Sequence, residues 1–305
     1  MKRRKNMFPL AALLVVAIVA GICLADRHGH SAAETEQYVQ ADNEQAAAVF
    51  GGSGYAPGKT PGTRDDGKKQ VRVNDIHDAR LLALVNLTHP VPDGADDDFV
   101  VPAYHVVPLA TADITLRSDA LDAAKAMFDG ARKAGFDGLF VSSGYRDAER
   151  QRQIYREAAD KSFVQPPGHS EHQLGLAADI LSVGVGQDAM AASPEGQWLA
   201  QNAWRYGFIL RYPEDKESIT GIGYEPWHFR YVGRPHAAYC FENGLCWEEY
   251  IQFLRDSGGY DLKLDGINYS VFYEKPRDGI INVPANGDYQ VSSDNTGGYV
   301  ITMYN

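Results

Sequence analysis

The sequence predicts an α+β fold, a small antiparallel sheet with flanking helices, followed by a small C-terminal β appendage. Three observations carry that reading. Leu121, Ala124, Met127, Phe128 and Ala131 fall on one helical face. Short apolar runs at 138–142, 208–212 and 228–232 have strand length, and the last two read as antiparallel partners. After Gly259 the pattern changes to short strands broken by Gly, Asn and Pro turns.

The chain has 305 residues, room for one domain of ordinary size plus appendages. Lys2, Arg3, Arg4 and Lys5 precede an uncharged apolar run over residues 7–25. A positive flank before an apolar core is a membrane-targeting pattern whose basic end stays cytoplasmic. Two readings of residues 1–25 compete: a retained anchor, giving a single-pass protein at the cell membrane with its folded part outside, or a cleaved signal peptide. Cys23 would suit a lipoprotein site, but Ile22 before it is bulky. Residues 26–74 are poor in large apolar side chains and follow no period, so they read as a disordered linker. A linker of that length spans about 40 Å root-mean-square.

The folded part is expected to begin near Asp75 and to run to 258, with the β appendage over 259–305. Leu81, Leu82, Leu84 and Val85 open it, and a Pro/Asp/Gly turn region follows. Ser118 can cap the first helix and Gly135 can end it. The strand at 138–142 feeds Ser143-Gly144-Tyr145-Arg146, after which Asp147 can cap a helix carrying Gln151, Ile154 and Tyr155. Ser193-Pro194-Glu195 opens another helix, with Pro in the first turn, and Gly207 closes it. Arg234-Pro235 starts a helix that stops at Gly244, and a last one spans 247–254. Short strands at 269–273 and 299–302 make up the appendage. Cys240 and Cys246 are the two cysteines outside the targeting segment. In an oxidising compartment they are a disulfide candidate; otherwise they are two buried thiols.

Net charge is −11 and the folded part holds no Lys/Arg run, so nucleic-acid binding has little support. The chemistry concentrates at 168–180, Gly-His-Ser-Glu-His-Gln-Leu-Gly-Leu-Ala-Ala-Asp-Ile. A histidine and an aspartate facing one pocket suit zinc, but a catalytic zinc needs a third protein ligand beside an open position. The best source is Tyr224-Glu225-Pro226-Trp227-His228-Phe229-Arg230, a carboxylate close to a histidine.

The order Ser-x-His-x-x-Gly-x-Ala-x-Asp (Ser170, His172, Gly175, Ala177, Asp179), then Glu225-Pro226-Trp227-His228, resembles the VanY-type zinc D-alanyl-D-alanine carboxypeptidases. These share a fold group with lysostaphin-type peptidases and the hedgehog signalling domain. Ser143 to Arg146, upstream, matches the family's Ser-Gly-Tyr-Arg signature, and the likeness covers roughly residues 80–305. The resemblance implies His172, Asp179 and His228 as Zn2+ ligands and Glu225 as the catalytic base. It implies Arg146 facing the oxyanion, and Ser170 and Gln151 as contacts to the peptide; Trp227 is a pocket wall or a core aromatic. His169 and Glu171 match no ligand position and read as structural or rim residues, and His236 reads as surface. The implied activity is removal of the terminal D-Ala from the stem peptide of peptidoglycan, which would lower the target of glycopeptide antibiotics. An L,D-carboxypeptidase or endopeptidase would use the same zinc mechanism. A binding module of the hedgehog kind would have little need of Glu225.

Overall fold

The computed structural model describes residues 67–77, 80–94 and 100–305. Residues 1–25 and most of the segment read as linker lie outside the described residues. Among the described residues no helix is long and apolar enough to cross a membrane. Part of the linker reading is corrected. Strand β1 (Lys68–Arg72) pairs antiparallel with residues 280–284, because Val71 and Val73 pack on the small apolar cluster of Ile281, Val283, Val291 and Ile301.

Strands β2 (Val100–Pro102) and β3 (Thr115–Arg117) form a small hairpin that leads into helix α1 (Ser118–Lys133). The predicted stripe is the buried face of α1, with Phe128 and Met127 at its centre. Burying a side chain of that size contributes about 1.5–3 kcal/mol. Ser118 is not the cap. Arg117 holds the N-cap position, and the first turn is served by Asp119, which accepts the Ala120 N–H at 2.9 Å and the Arg117 guanidinium at 2.6 Å.

The central sheet is antiparallel in the order β4 (Leu139–Ser143), β5 (Ala177–Ser182), β7 (His228–Tyr231), β6 (Phe208–Leu210). Asp147 caps α2 (Ala148–Glu157) by accepting the Arg150 N–H at 2.6 Å, as its side-chain chemistry dictates. Ser193 does the same for α3 (Pro194–Asn202), and Gly207 at φ +86° turns the chain into β6. A single turn, α4 (Glu217–Thr220), lies in the long connection to β7.

Helices α5 (Arg234–Asn243) and α6 (Trp247–Ser257) complete the helical layer. The cysteines do not pair: Cys240 and Cys246 are free buried thiols. Cys246 instead caps α6, its sulfur taking the Glu249 N–H while the Glu249 carboxylate takes the Cys246 N–H at 2.9 Å. Burial pushes the Cys240 thiol well up and the Cys246 thiol to about 12.

A second antiparallel sheet follows in the order β11 (Tyr289–Ser293), β12 (Tyr299–Tyr304), β9 (Ile267–Glu274), β8 (Gly259–Leu264), and β10 (Ile280–Pro284) is the partner of β1. This sheet is the predicted β appendage, but it is joined to the main core. Val271 and Val300 are fully buried among core residues, and Asn295 donates to the Leu84 and Pro90 carbonyls at 2.9 and 2.7 Å. The same sheet corrects the surface reading of His236. Its ring is buried between Tyr250, 2.5 Å from Nδ1, and Thr302 on β12, 3.0 Å from Nε2.

Candidate active site

Asp179 and His228 stand directly opposite one another on β5 and β7, so their side chains project from the same sheet face. His172 reaches them from a short 3-10 turn, Glu171–Leu174, which Gly175 terminates at φ +68°. Gly144 sets the third edge. A Cβ there would collide with the Thr115 carbonyl, and its absence lets the Gly144 carbonyl approach His172, 2.6 Å from Nδ1. Accepting that hydrogen bond, Gly144 assigns the ring proton to Nδ1 and leaves the Nε2 lone pair free.

Three ligand atoms converge. His172 Nε2 lies 3.4 Å and His228 Nδ1 3.1 Å from Asp179 Oδ1. The three residues are buried, each offering an atom within 4.8 Å of the others'. Nε2 of His172 is buried with no hydrogen-bond partner, an arrangement that a cation would relieve. The donor set of two imidazoles and one carboxylate suits zinc, as do its closeness and its burial. Electrostatics agree in direction. Burial, then Arg146, lowers the His172 pKa, keeping the ring neutral.

Glu225 stands beside this cluster, its Oε2 3.5 Å from His228 Nδ1. Its backbone is fixed by the Glu225 N–H to Tyr212 carbonyl bond and the His228 N–H to Glu225 carbonyl bond, both 3.1 Å. Burial raises its pKa to about 8, against the opposing pull of His228. Arg146 follows β4, and its N–H donates to the His172 carbonyl at 3.2 Å. Burial lowers its pKa, while the nearby Asp179 and Glu225 charges raise it; its Nε is buried and unpartnered. The two motifs, far apart in sequence, are therefore one site.

The other predicted residues are less uniform. Ser170 is buried at the N-cap of the 3-10 turn and makes no side-chain cap bond. Gln151 is buried on α2 and donates to the Gln165 carbonyl at 2.6 Å, leaving its Oε1 unpartnered. Trp227 is half-buried against the core, and its carbonyl accepts the Ile180 N–H at 2.8 Å. His169 is tied through Nδ1 to the Asn86 carbonyl, 2.7 Å away, and is not one of the three clustered residues. Glu171 is not a rim residue. It is fully buried, 2.8 Å from Arg211 and 3.1 Å from Arg230. The overlooked signal is an arginine at an inward position of two strand-like runs, since a buried arginine demands a carboxylate.

A model of the VanY D-alanyl-D-alanine carboxypeptidase family matches residues 113–234, which hold every ligand candidate and Glu225. A D-alanyl-D-alanine carboxypeptidase of Enterococcus faecium is 35% identical over 244 residues, 78% of this chain and 79% of that protein. The chain belongs to the VanY family. The VanY fold is matched in turn by the crystal structure of the vancomycin-resistance D,D-dipeptidase VanXYg in complex with a D-Ala-D-Ala phosphinate analogue. That structure has a TM-score of 0.68 and 30% identity, covering 78% of this chain and 98% of its own. The LdcB LD-carboxypeptidase is also similar, with a TM-score of 0.52 and 40% identity over 56% of this chain and 86% of its own.

Proposed function

We propose that this VanY-family carboxypeptidase is zinc-dependent and removes the terminal D-Ala from peptidoglycan stem peptides. The observation that carries the reading is Glu225, a buried carboxylate beside a complete three-residue ligand cluster that it does not need to join. His172 Nε2, Asp179 Oδ1 and His228 Nδ1 would hold the ion. When bound there, zinc supplies Lewis-acid polarisation and an acidified water.

The protein's own groups do the rest. Glu225, its basicity raised by burial, takes a proton from the water that adds to the scissile carbonyl and returns it to the amine that leaves as the C–N bond breaks. Arg146 presents its guanidinium to the negative charge that develops on the scissile carbonyl oxygen, an interaction that grows in the transition state. Ser170 and the unpartnered Oε1 of Gln151 are the proposed peptide contacts, with Trp227 as a wall. Likeness to the LD-carboxypeptidase supports a second reading, the same mechanism on a tetrapeptide stem. Mass analysis of products from pentapeptide and tetrapeptide stems, side by side, decides between them: D-Ala released from the pentapeptide alone is the expected result.

Export completes the proposal. The basic and apolar N-terminal segment would carry the domain across the membrane to its substrate. Fractionation of cells with protease protection checks this, and a cytoplasmic enzyme would contradict it.

A further inference from the structure

Two buried atoms behind the ligand cluster face each other without a hydrogen-bond partner. They are Oε2 of Glu171 and Nε2 of His228, 3.8 Å apart. The other oxygen of Glu171 is committed, with Oε1 taking Arg211 Nε at 2.8 Å and Arg230 Nη1 at 3.1 Å. Arg211 is gripped in turn by both oxygens of Glu248, at 2.9 and 2.7 Å. Arg230 is anchored on the Leu81 carbonyl at 2.9 Å and the Tyr231 carbonyl at 3.0 Å. Two arginines and two glutamates thus balance charge inside the protein, where desolvation makes such a block costly. Tyr212 packs against the same imidazole at 4.9 Å between ring centroids, and the Arg211 guanidinium lies 4.8 Å from the Tyr212 ring.

A purely scaffolding role explains Oε1 and leaves Oε2 without a reason. We infer that Glu171 is a positioning residue: its Oε2 accepts the Nε2–H of His228, fixing the tautomer that presents Nδ1 to the metal cluster. Arg211, Arg230 and Glu248 hold that carboxylate in place. The inference rests on the zinc reading above. A carboxylate on the far nitrogen of a metal-binding imidazole orients the ring and raises its basicity. An N–H···O bond is about 2.9 Å long, so a movement of about 1 Å closes the pair.

The test removes one charge at a time from the same block in the full chain, with Glu171→Gln and Glu248→Gln. Zinc affinity is read by competition with a chromophoric chelator, a readout independent of turnover. Glu171→Gln is expected to bind zinc about 10- to 100-fold more weakly, the usual cost of losing such a partner, while Glu248→Gln, which reaches that carboxylate only through Arg211, loses far less. Unchanged affinity in Glu171→Gln, or an equal loss in both variants, would overturn the inference while leaving the zinc reading intact. A parent that binds no zinc would remove the zinc reading, and the inference with it. If Glu171→Gln fails to fold, the imidazole 15N spectrum of the zinc-loaded parent decides. His228 protonated on Nε2 is expected, and His228 protonated on Nδ1 would overturn it.

Discussion

Two regions of this molecule bury histidines, and they treat the rings in opposite ways. Under the second sheet, His236 has both nitrogens within hydrogen-bond distance of hydroxyls, Tyr250 on α6 and Thr302 on β12. On the central sheet, His172 and His228 each keep a buried nitrogen with no partner, and His172 Nε2 and His228 Nδ1 converge on one carboxylate oxygen, Asp179 Oδ1. Burial alone therefore says little about a histidine. A satisfied ring holds two elements together, whereas an unsatisfied pair around an aspartate marks a place for a cation.

The contrast can be broken most severely at Glu225. Replacing it with Ala should lower kcat by about 100- to 10,000-fold while zinc stays bound, because the base is lost and the ligands are not. Zinc lost together with activity would move Glu225 into the ligand set. Arg146→Ala should cost about 100- to 1000-fold in kcat, with KM changing less, if its guanidinium acts mainly in the transition state. An effect confined to KM would make Arg146 a substrate anchor instead.

His236 should respond in the opposite sense. His236→Leu leaves the Thr302 hydroxyl without its partner, and stability should fall by about 1–3 kcal/mol with kcat unchanged. Denaturant titration and steady-state kinetics read the two separately. Burial depresses the His236 pKa from 6.5 to about 3. Between those values the unfolded chain carries a proton that the folded chain refuses, so stability declines as pH falls, by up to about 1.4 kcal/mol per unit. In His236→Leu that part of the decline should vanish; an unaltered acid limb would show that the ring is accessible to protons. The smallest effect concerns the thiols. With Cys240 and Cys246 held neutral by burial, these two thiols should resist alkylation at pH 8 in the folded protein and react once it unfolds.

What the sequence made legible was mostly local. Asp147 and Ser193 announce their helices because an N-cap is a side chain bonding its own next turn. Gly244 ends α5, and Gly207 ends the 3-10 turn that follows α3, because the left-handed backbone favours glycine. That His172, Asp179 and His228 meet was also legible, since the two motifs keep the residue order of the family they resemble even though the fold must bring β5 and β7 together. Residues whose meaning depends on distant partners were not. The burial of Glu171 depends on Arg211 and Arg230, 40 and 59 positions away along the chain. His236 sits in a helix whose sequence suggests an exposed start, and the sheet that covers it arrives later in the chain. β1 was hidden in polar composition because Val71 alone of its residues packs on the small cluster, and its partner strand lies near the C-terminus.

The central claim is that His172, Asp179 and His228 hold a zinc ion with which Glu225 and Arg146 act on a peptide ending in D-Ala. Release of D-Ala from a pentapeptide stem by the purified chain, before and after chelation and after zinc is returned, tests it most directly. The account predicts release by the parent, loss with chelator and recovery with zinc. Release indifferent to chelation, or no release from any stem peptide at full zinc loading, would contradict it.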